Sequence, residues 1–195
     1  MILENEFGVN LSKRMAIDVL TDVPLIAPCI PGVAITEITG DRYYKGEATV
    51  RLGPVKITFT GVGEITEINY DNYTARVKAG GSDRKGRGGA DATVSFELQD
   101  GPVTEAGFKT TKVIVRTDLS LNGSIAQYGR ASGLIEGIAQ ELTKEFAENL
   151  KKVLSTDDDG IFDAKEISGL KLLVKAGIGK FKIGGKKNKD ETGSV

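Results

Sequence analysis

Ser132 to Leu154 reads SGLIEGIAQELTKEFAENLKKVL, and its apolar residues Leu134, Ile135, Ile138, Leu142, Phe146, Leu150 and Val153 recur at helical spacing. A helix with one apolar face needs a surface to cover. The chain before it supplies one. From Val33 onward the apolar period changes to two: Tyr44, Ala48, Val50 and Leu52; Val55, Ile57 and Phe59; Ala75, Val77 and Ala79; Val94, Phe96 and Leu98; Val113, Val115, Leu119 and Leu121. Five consecutive strands follow, joined by Gly, Pro, Asn and Asp turns. Their apolar face and the helix's stripe are each other's natural cover.

Ahead of these strands, Met1 to Asn10 reads as a short strand and Leu11 to Val23 as a short helix, while Pro24, Pro28 and Pro31 leave Leu25 to Gly32 as an interrupted helical turn. Short helix, meander of strands and long helix together predict an α+β helix-grip domain over residues 1–154, a curved antiparallel sheet wrapped around a long C-terminal helix. The 25 glycines, many within or beside strands, suit a sheet bent that sharply. Small residues and only 6% aromatics leave room between sheet and helix, and that room is the candidate ligand cavity.

At 195 residues and 39% hydrophobic the chain can bury one core with an appendage left over. The absence of histidine excludes Ser-His-Asp and Cys-His catalysis and every His-ligated metal site, and the lone Cys29 excludes a thiolate cluster or an internal disulfide. Any catalysis would rest on carboxylates, Lys, Tyr or a bound cofactor, so binding is the expected role and no cofactor is called for. Glu4 and Glu6 stand where a secretory signal would be basic and then apolar, which points to the cytoplasm. No apolar run approaches the roughly 20 residues that span a bilayer. Membrane contact is therefore expected to be peripheral, on the inner face of the cell membrane.

The net charge of -1 conceals an uneven distribution. From Ile167 to the end, seven lysines face two acids, which leaves -6 for the rest of the chain. Residues 167–195 read as a basic amphipathic tail, unfolded until it docks because its glycines disfavour an isolated helix. Leu170, Val174, Ile178 and Phe181 fall on one stripe edged by Lys171, Lys175 and Lys182, a pattern that suits an anionic membrane surface. A partner protein's groove, or this protein's own surface, is the rival destination. Nucleic acid has no use for the apolar stripe and is not expected as a partner.

Residues 155–166 read as an acidic hinge. Asp157, Asp159, Gly160, Asp163 and Glu166 match an EF-hand calcium loop in part, but Ser155 takes the place of its first acid and no second loop pairs with it. The stretch GGSDRKGRGG, Gly80 to Gly89, places Arg84, Lys85 and Arg87 among glycines, yet it joins two strands and lacks the following helix of a phosphate loop. A wide hairpin turn is the reading adopted. Its basic residues are available to a phospholipid or a partner surface. Glu64, Glu67, Asp83 and Glu97 are placed near turns or on the outward phase.

Several stretches in order resemble the CoxG family of carbon monoxide dehydrogenase subunits, a branch of the SRPBCC (START-like) superfamily. They are Pro28-Cys29-Ile30-Pro31-Gly32, Tyr44-Lys45-Gly46, Leu52-Gly53-Pro54-Val55, Phe59-Thr60-Gly61, Gly86-Arg87-Gly88-Gly89-Ala90, and Gly123 to Arg130 (GSIAQYGR). The resemblance spans roughly residues 1 to 154. It implies an accessory protein for a molybdenum-dependent carbon monoxide dehydrogenase-type oxidase, and a superfamily habit of holding lipophilic small molecules. A quinone suits an oxidase that must pass electrons to the membrane.

Together these readings predict a non-catalytic, lipid-binding accessory protein with Phe59, Val94, Phe96, Val115, Leu134 and Ile138 lining an apolar cavity. The same apolar positions would also serve a plain packed core. A protein-docking assembly factor without ligand, and a small cyclase- or hydrolase-like enzyme using a cavity Tyr or Asp, are the alternatives.

Overall fold

The computed structural model describes residues 1–105, 107–130 and 132–155. The tail with its membrane-binding positions Leu170, Lys171, Val174, Lys175, Ile178, Phe181 and Lys182, and all of the acidic hinge except Ser155, lie outside the described residues.

Strand β1 (Ile2–Val9) leads to helix α1 (Lys13–Thr21), which begins where the Ser12 hydroxyl accepts a hydrogen bond from the Met15 amide. Asp22 ends α1 by donating its N–H to the Val19 carbonyl, and it starts the short α2 (Val23–Ile26) by accepting from the Leu25 amide at 3.2 Å. Pro24 fits there because the first turn has no use for its missing N–H. A 3-10 turn, Ala27–Cys29, completes the interrupted helical segment.

Six strands follow: β2 (Val33–Thr39), β3 (Tyr43–Leu52), β4 (Val55–Asn69), β5 (Thr74–Asp83), β6 (Gly89–Val103) and β7 (Lys109–Leu121). With β1 they form one antiparallel sheet in the order β1-β7-β6-β5-β4-β3-β2. A 3-10 turn at Gly123–Ile125 and the short α3 (Ala126–Gly129) then carry the chain into α4 (Ser132–Ser155).

The sheet has more strand than periodicity alone indicates. Strand β2 is the addition to the expected five, and its signal fails because Ile38 is out of step with Val33 and Ile35 in sequence and only a bulge between Ile35 and Glu37 brings it onto their face. Gly80 to Asp83 belong to β5 and Gly89 to β6, so the wide hairpin turn read over Gly80 to Gly89 shrinks to residues 84–88. Strand β4 continues ten residues past Phe59, through Gly61 and Gly63, where an alternation of apolar side chains has nothing to show.

Cross-strand partners share a face, so the register defines the side of the sheet that α4 covers. One row runs Leu119, Ala92, Ala79, Gly63, Tyr44, and its neighbour runs Leu121, Ala90, Gly81, Gly61, Gly46. Through the middle of the sheet these rows carry almost no side chain, and the strands close up accordingly. A Cβ on Gly46 would lie 2.6 Å from the Ala34 carbonyl oxygen, and one on Gly61 would overlap the Gly80 carbonyl oxygen and the Gly81 Cα. These contacts are with backbone and cannot be relieved by rotating a side chain. Gly61→Ala should therefore lower stability by about 1–3 kcal/mol, the usual cost of overpacking, in urea denaturation; a midpoint equal to that of the unsubstituted protein would show that the bend does not depend on this approach.

Candidate functional site

The side chains between sheet and α4 divide into two packed clusters. The first gathers Val9, Ala16, Ile17, Leu20, Leu25 and Cys29 with Leu98, Val113 and Leu150, and half-buried Phe7, Phe96, Val115, Phe146 and Val153 pack against it. The second gathers Leu3, Leu52, Ile57, Ile125 and Ile135, joined by Val50, Phe59, Leu119, Leu121, Ile138 and Ala139. On the inward stripe of α4, Ile135 and Ile138 belong to the second cluster and Phe146 and Leu150 to the first. Leu142, midway between them and half-buried, belongs to neither.

Between the two clusters the inward face of the sheet carries the small-residue rows. Ala79 is exposed, and Gly61, Gly63, Val77, Gly81, Ala90, Ala92 and Val94 are half-buried although they share that face. A packed core would bury them completely. The inward face is therefore open to solvent between the clusters, a hollow whose floor is made of small residues.

Of the six residues read from sequence as cavity-lining, Phe96 and Val115 pack against the first cluster, and Phe59 and Ile138 against the second. Val94 lies on the floor between them. All five are half-buried. Leu134 sits on the flank of α4 and is 37% exposed. Sequence reasoning overlooked the glycines and alanines of the floor, and it also overlooked Asn5 and Thr117, which occupy inward positions of β1 and β7. The available signal was phase: Asn5 falls in step with Leu3, Phe7 and Val9.

A pocket of about 400 Å³ opens at the seam between the free edge of β1 and α4, lined by Ile2, Leu3, Glu4, Asn5, Glu136, Ala139 and Gln140.

Asp83 ends β5 immediately before the turn of residues 84–88, near a turn as the sequence reading placed it, and the structure adds that it is an inward residue. Its side chain is 1% exposed and faces inward, because β5 runs on to this residue and puts it opposite Phe59. Its carboxylate accepts from Arg87 Nε at 2.7 Å, from Arg87 Nη2 at 2.9 Å, and from the Arg87 and Lys85 amides. Those bonds hold the carboxyl well below the usual carboxylate range, the Arg87 side chain contributing most. Arg87 Nη2 also donates to the Lys56 carbonyl, and the Arg87 carbonyl accepts from the Ser124 amide and hydroxyl. One ion pair thus ties the β5–β6 turn to β4 and to the approach of α4. Arg87 is occupied by this role and Arg84 pairs with Glu47 at 3.4 Å, so two of the turn's three basic residues have protein partners.

Tyr44, a second ionisable side chain on the inward face of the sheet, donates its hydroxyl to the Asp41 carbonyl at 2.8 Å. Burial pushes its pKa up, assisted by Asp22 and Asp41, so it stays a neutral phenol. Burial likewise raises the Cys29 thiol, which is unreactive in that form. Among the described residues no group of three His, Cys, Asp or Glu is placed to hold a metal ion, and no helix is long and apolar enough to cross a membrane. The calcium reading falls on residues outside those described.

A long helix gripped by a curved seven-stranded antiparallel sheet defines the helix-grip, START-like class. The chain belongs to the CoxG family of carbon monoxide dehydrogenase subunits, whose model matches residues 6–155. No curated protein sequence matches it. A conserved protein of Geobacillus kaustophilus has a similar structure, with TM-score 0.63 at 19% identity over 78% of this chain and 93% of that one. The ZhuI aromatase/cyclase of Streptomyces sp. R1128 (TM-score 0.52, 13% identity, 78% and 92% coverage) and truncated norcoclaurine synthase of Thalictrum flavum (0.52, 13%, 81% and 95%) share the fold.

The Asp83 pair has a readable pH signature. A carboxylate whose folded pKa is depressed stabilises the fold fully above its unfolded value, 3.8, and loses that contribution as pH falls toward the folded value. Asp83→Asn should therefore be less stable than the unsubstituted protein at pH 7, with the gap narrowing as pH drops below about 4. Urea midpoints at both pH values measure it, and a gap that stays constant would mean the carboxylate's charge is not what holds the turn.

Proposed function

We propose that this protein is a non-catalytic carrier that holds an apolar small molecule in the hollow between sheet and α4. The observation that supports it is the floor of small, solvent-accessible residues on the inward face of the sheet between two packed clusters, neither of which includes Leu142. Apolar surface left open inside a fold costs stability unless something covers it, and Phe59, Val94, Phe96, Val115, Leu134 and Ile138 are the side chains proposed to touch what does. A quinone is the proposed cargo. Family membership supplies the candidate partner, a carbon monoxide dehydrogenase-type oxidase, because the family is named for a component of one.

The basic tail is assigned the task of keeping the loaded body near an anionic membrane on the inner face of the cell, through Leu170, Lys171, Val174, Lys175, Ile178, Phe181 and Lys182. Two solved relatives of this fold are named as enzymes, an aromatase/cyclase and norcoclaurine synthase. Catalysis in the hollow would need an ionisable group free to move a proton. Tyr44 and Asp83 are both committed to protein partners, which favours the carrier.

Mass spectrometry of an organic extract from natively purified protein should recover one apolar compound in stoichiometric amount. A clean extract, from protein that also fails to take up added quinone, would reject the carrier. Ala79→Phe, which places a ring on the exposed middle of the floor, should abolish uptake while leaving the protein folded. The tail is tested separately: truncation after Ser155 should remove sedimentation with phosphatidylglycerol liposomes, and unchanged sedimentation would reject its membrane role.

A further inference from the structure

The pocket at the β1–α4 seam lies beside a polar interruption of the apolar inner face. Asn5 stands between Leu3 and Phe7 in the inward phase of β1, and Thr117 stands between Val115 and Leu119 in that of β7. The register pairs Asn5 with Val115 and Leu3 with Thr117, so the two are diagonal neighbours on adjacent strands, about 7 Å apart. Thr117 in turn pairs with Val94, on the floor of the hollow. Both side chains are half-buried, and neither has a hydrogen-bond partner among the described residues. Their polar atoms keep some contact with solvent.

An amide and a hydroxyl on an otherwise apolar face, with solvent as their partner, are available to bond a ligand that displaces that water. Asn5 belongs to the lining of the pocket, with Thr117 its neighbour on β7, and the rest of that lining limits what can be met there. Glu4 and Glu136 are its charged residues, and no cation lines it; Arg116, on the neighbouring strand, is paired with Glu4 at 2.7 Å on the outer face. A carboxylate or phosphate lodged there would face the Glu136 carboxylate with no cation in the lining to offset it.

We infer that this seam is the polar-end subsite of the carrier: the Asn5 amide and the Thr117 hydroxyl bond the carbonyl or hydroxyl oxygen of an uncharged, otherwise apolar ligand whose body lies along the floor from Val94 toward Ala79. The inference rests on the carrier reading and narrows it. Ketones, quinones and alcohols fit; fatty-acid anions and phospholipid headgroups do not. Asn5 supplies both a donor and an acceptor and Thr117 does the same, so the subsite accommodates either a carbonyl or a hydroxyl.

Three probes separate the possibilities in equilibrium dialysis with the full-length protein: menadione, 2-methylnaphthalene, which has the same ring system and methyl group without oxygens, and decanoate. The unsubstituted protein should bind menadione about tenfold more tightly than either of the others, as two neutral hydrogen bonds would allow. Asn5→Leu and Thr117→Val, each near its parent in size, should together weaken menadione about tenfold and leave 2-methylnaphthalene unchanged or tighter. Each single variant should give a partial loss, and circular dichroism should show both variants folded, so that the loss reads binding. Menadione binding that ignores both substitutions, or a preference for decanoate, overturns the subsite while leaving a carrier. If neither ring compound binds the unsubstituted protein, the carrier reading fails and the subsite with it.

Discussion

Everything in this structure depends on how closely the backbones of β3, β4 and β5 approach one another where Gly46, Gly61 and Gly81 face inward. An antiparallel sheet of ordinary residues twists but does not fold over on itself, because side chains on the concave face crowd as curvature increases. Removing them lets the strands close up until a single Cβ at Gly61 would overlap the neighbouring backbone. Bulges at Ile35/Glu37, Ile65/Glu67 and Asp100/Val103 add local bends. The sheet therefore reaches α4 from both sides.

The same substitution of glycine and alanine for larger residues that permits curvature also empties the middle of the fold. Stability has to come from the ends. One end packs α1, α2 and the last turns of α4 against Leu98 and Val113; the other packs the first turns of α4 against Leu3, Leu52 and Ile57. At that second end the Asp83–Arg87 pair joins β5, β4 and the approach to α4 by side-chain and backbone bonds at once. A helix held at both ends leaves the middle of its stripe, at Leu142, outside the packing that keeps the protein folded. Curvature and the division of the core are thus one property.

The helix-grip order was legible in sequence because α4 and five strands carry strong apolar periods, and α1 and the Pro24 to Pro31 segment carry ordinary capping and breaking signals. The centre of the sheet was not. Gly61, Gly63, Gly80 and Gly81 contribute no hydrophobic pattern, so β4 and β5 look shorter than they are and the turn between β5 and β6 looks longer. Strand β2 was lost to a bulge that shifts its phase. Asp83 does stand beside a turn, but its inward orientation was not legible, because only the register puts it opposite Phe59. The large apolar residues visible in sequence mark the two packed clusters. The face between them is written in residues whose contribution is their small size.

Strand β1 pairs with β7 along its whole length, Ile2 opposite Asp118 and Val9 opposite Thr111, whereas every other neighbouring pair is a hairpin of adjacent strands. On a chain made from the N-terminus, β1 emerges first and must wait for nearly the entire sheet before its partner exists. Its inward residues Leu3, Phe7 and Val9 remain uncovered for that interval, which makes this segment a natural client of chaperones during synthesis. Long-range closure of this kind is also the slow step in β-rich folding. The strand added last forms one side of the seam beside α4, so the final act of folding is the one that shapes the opening.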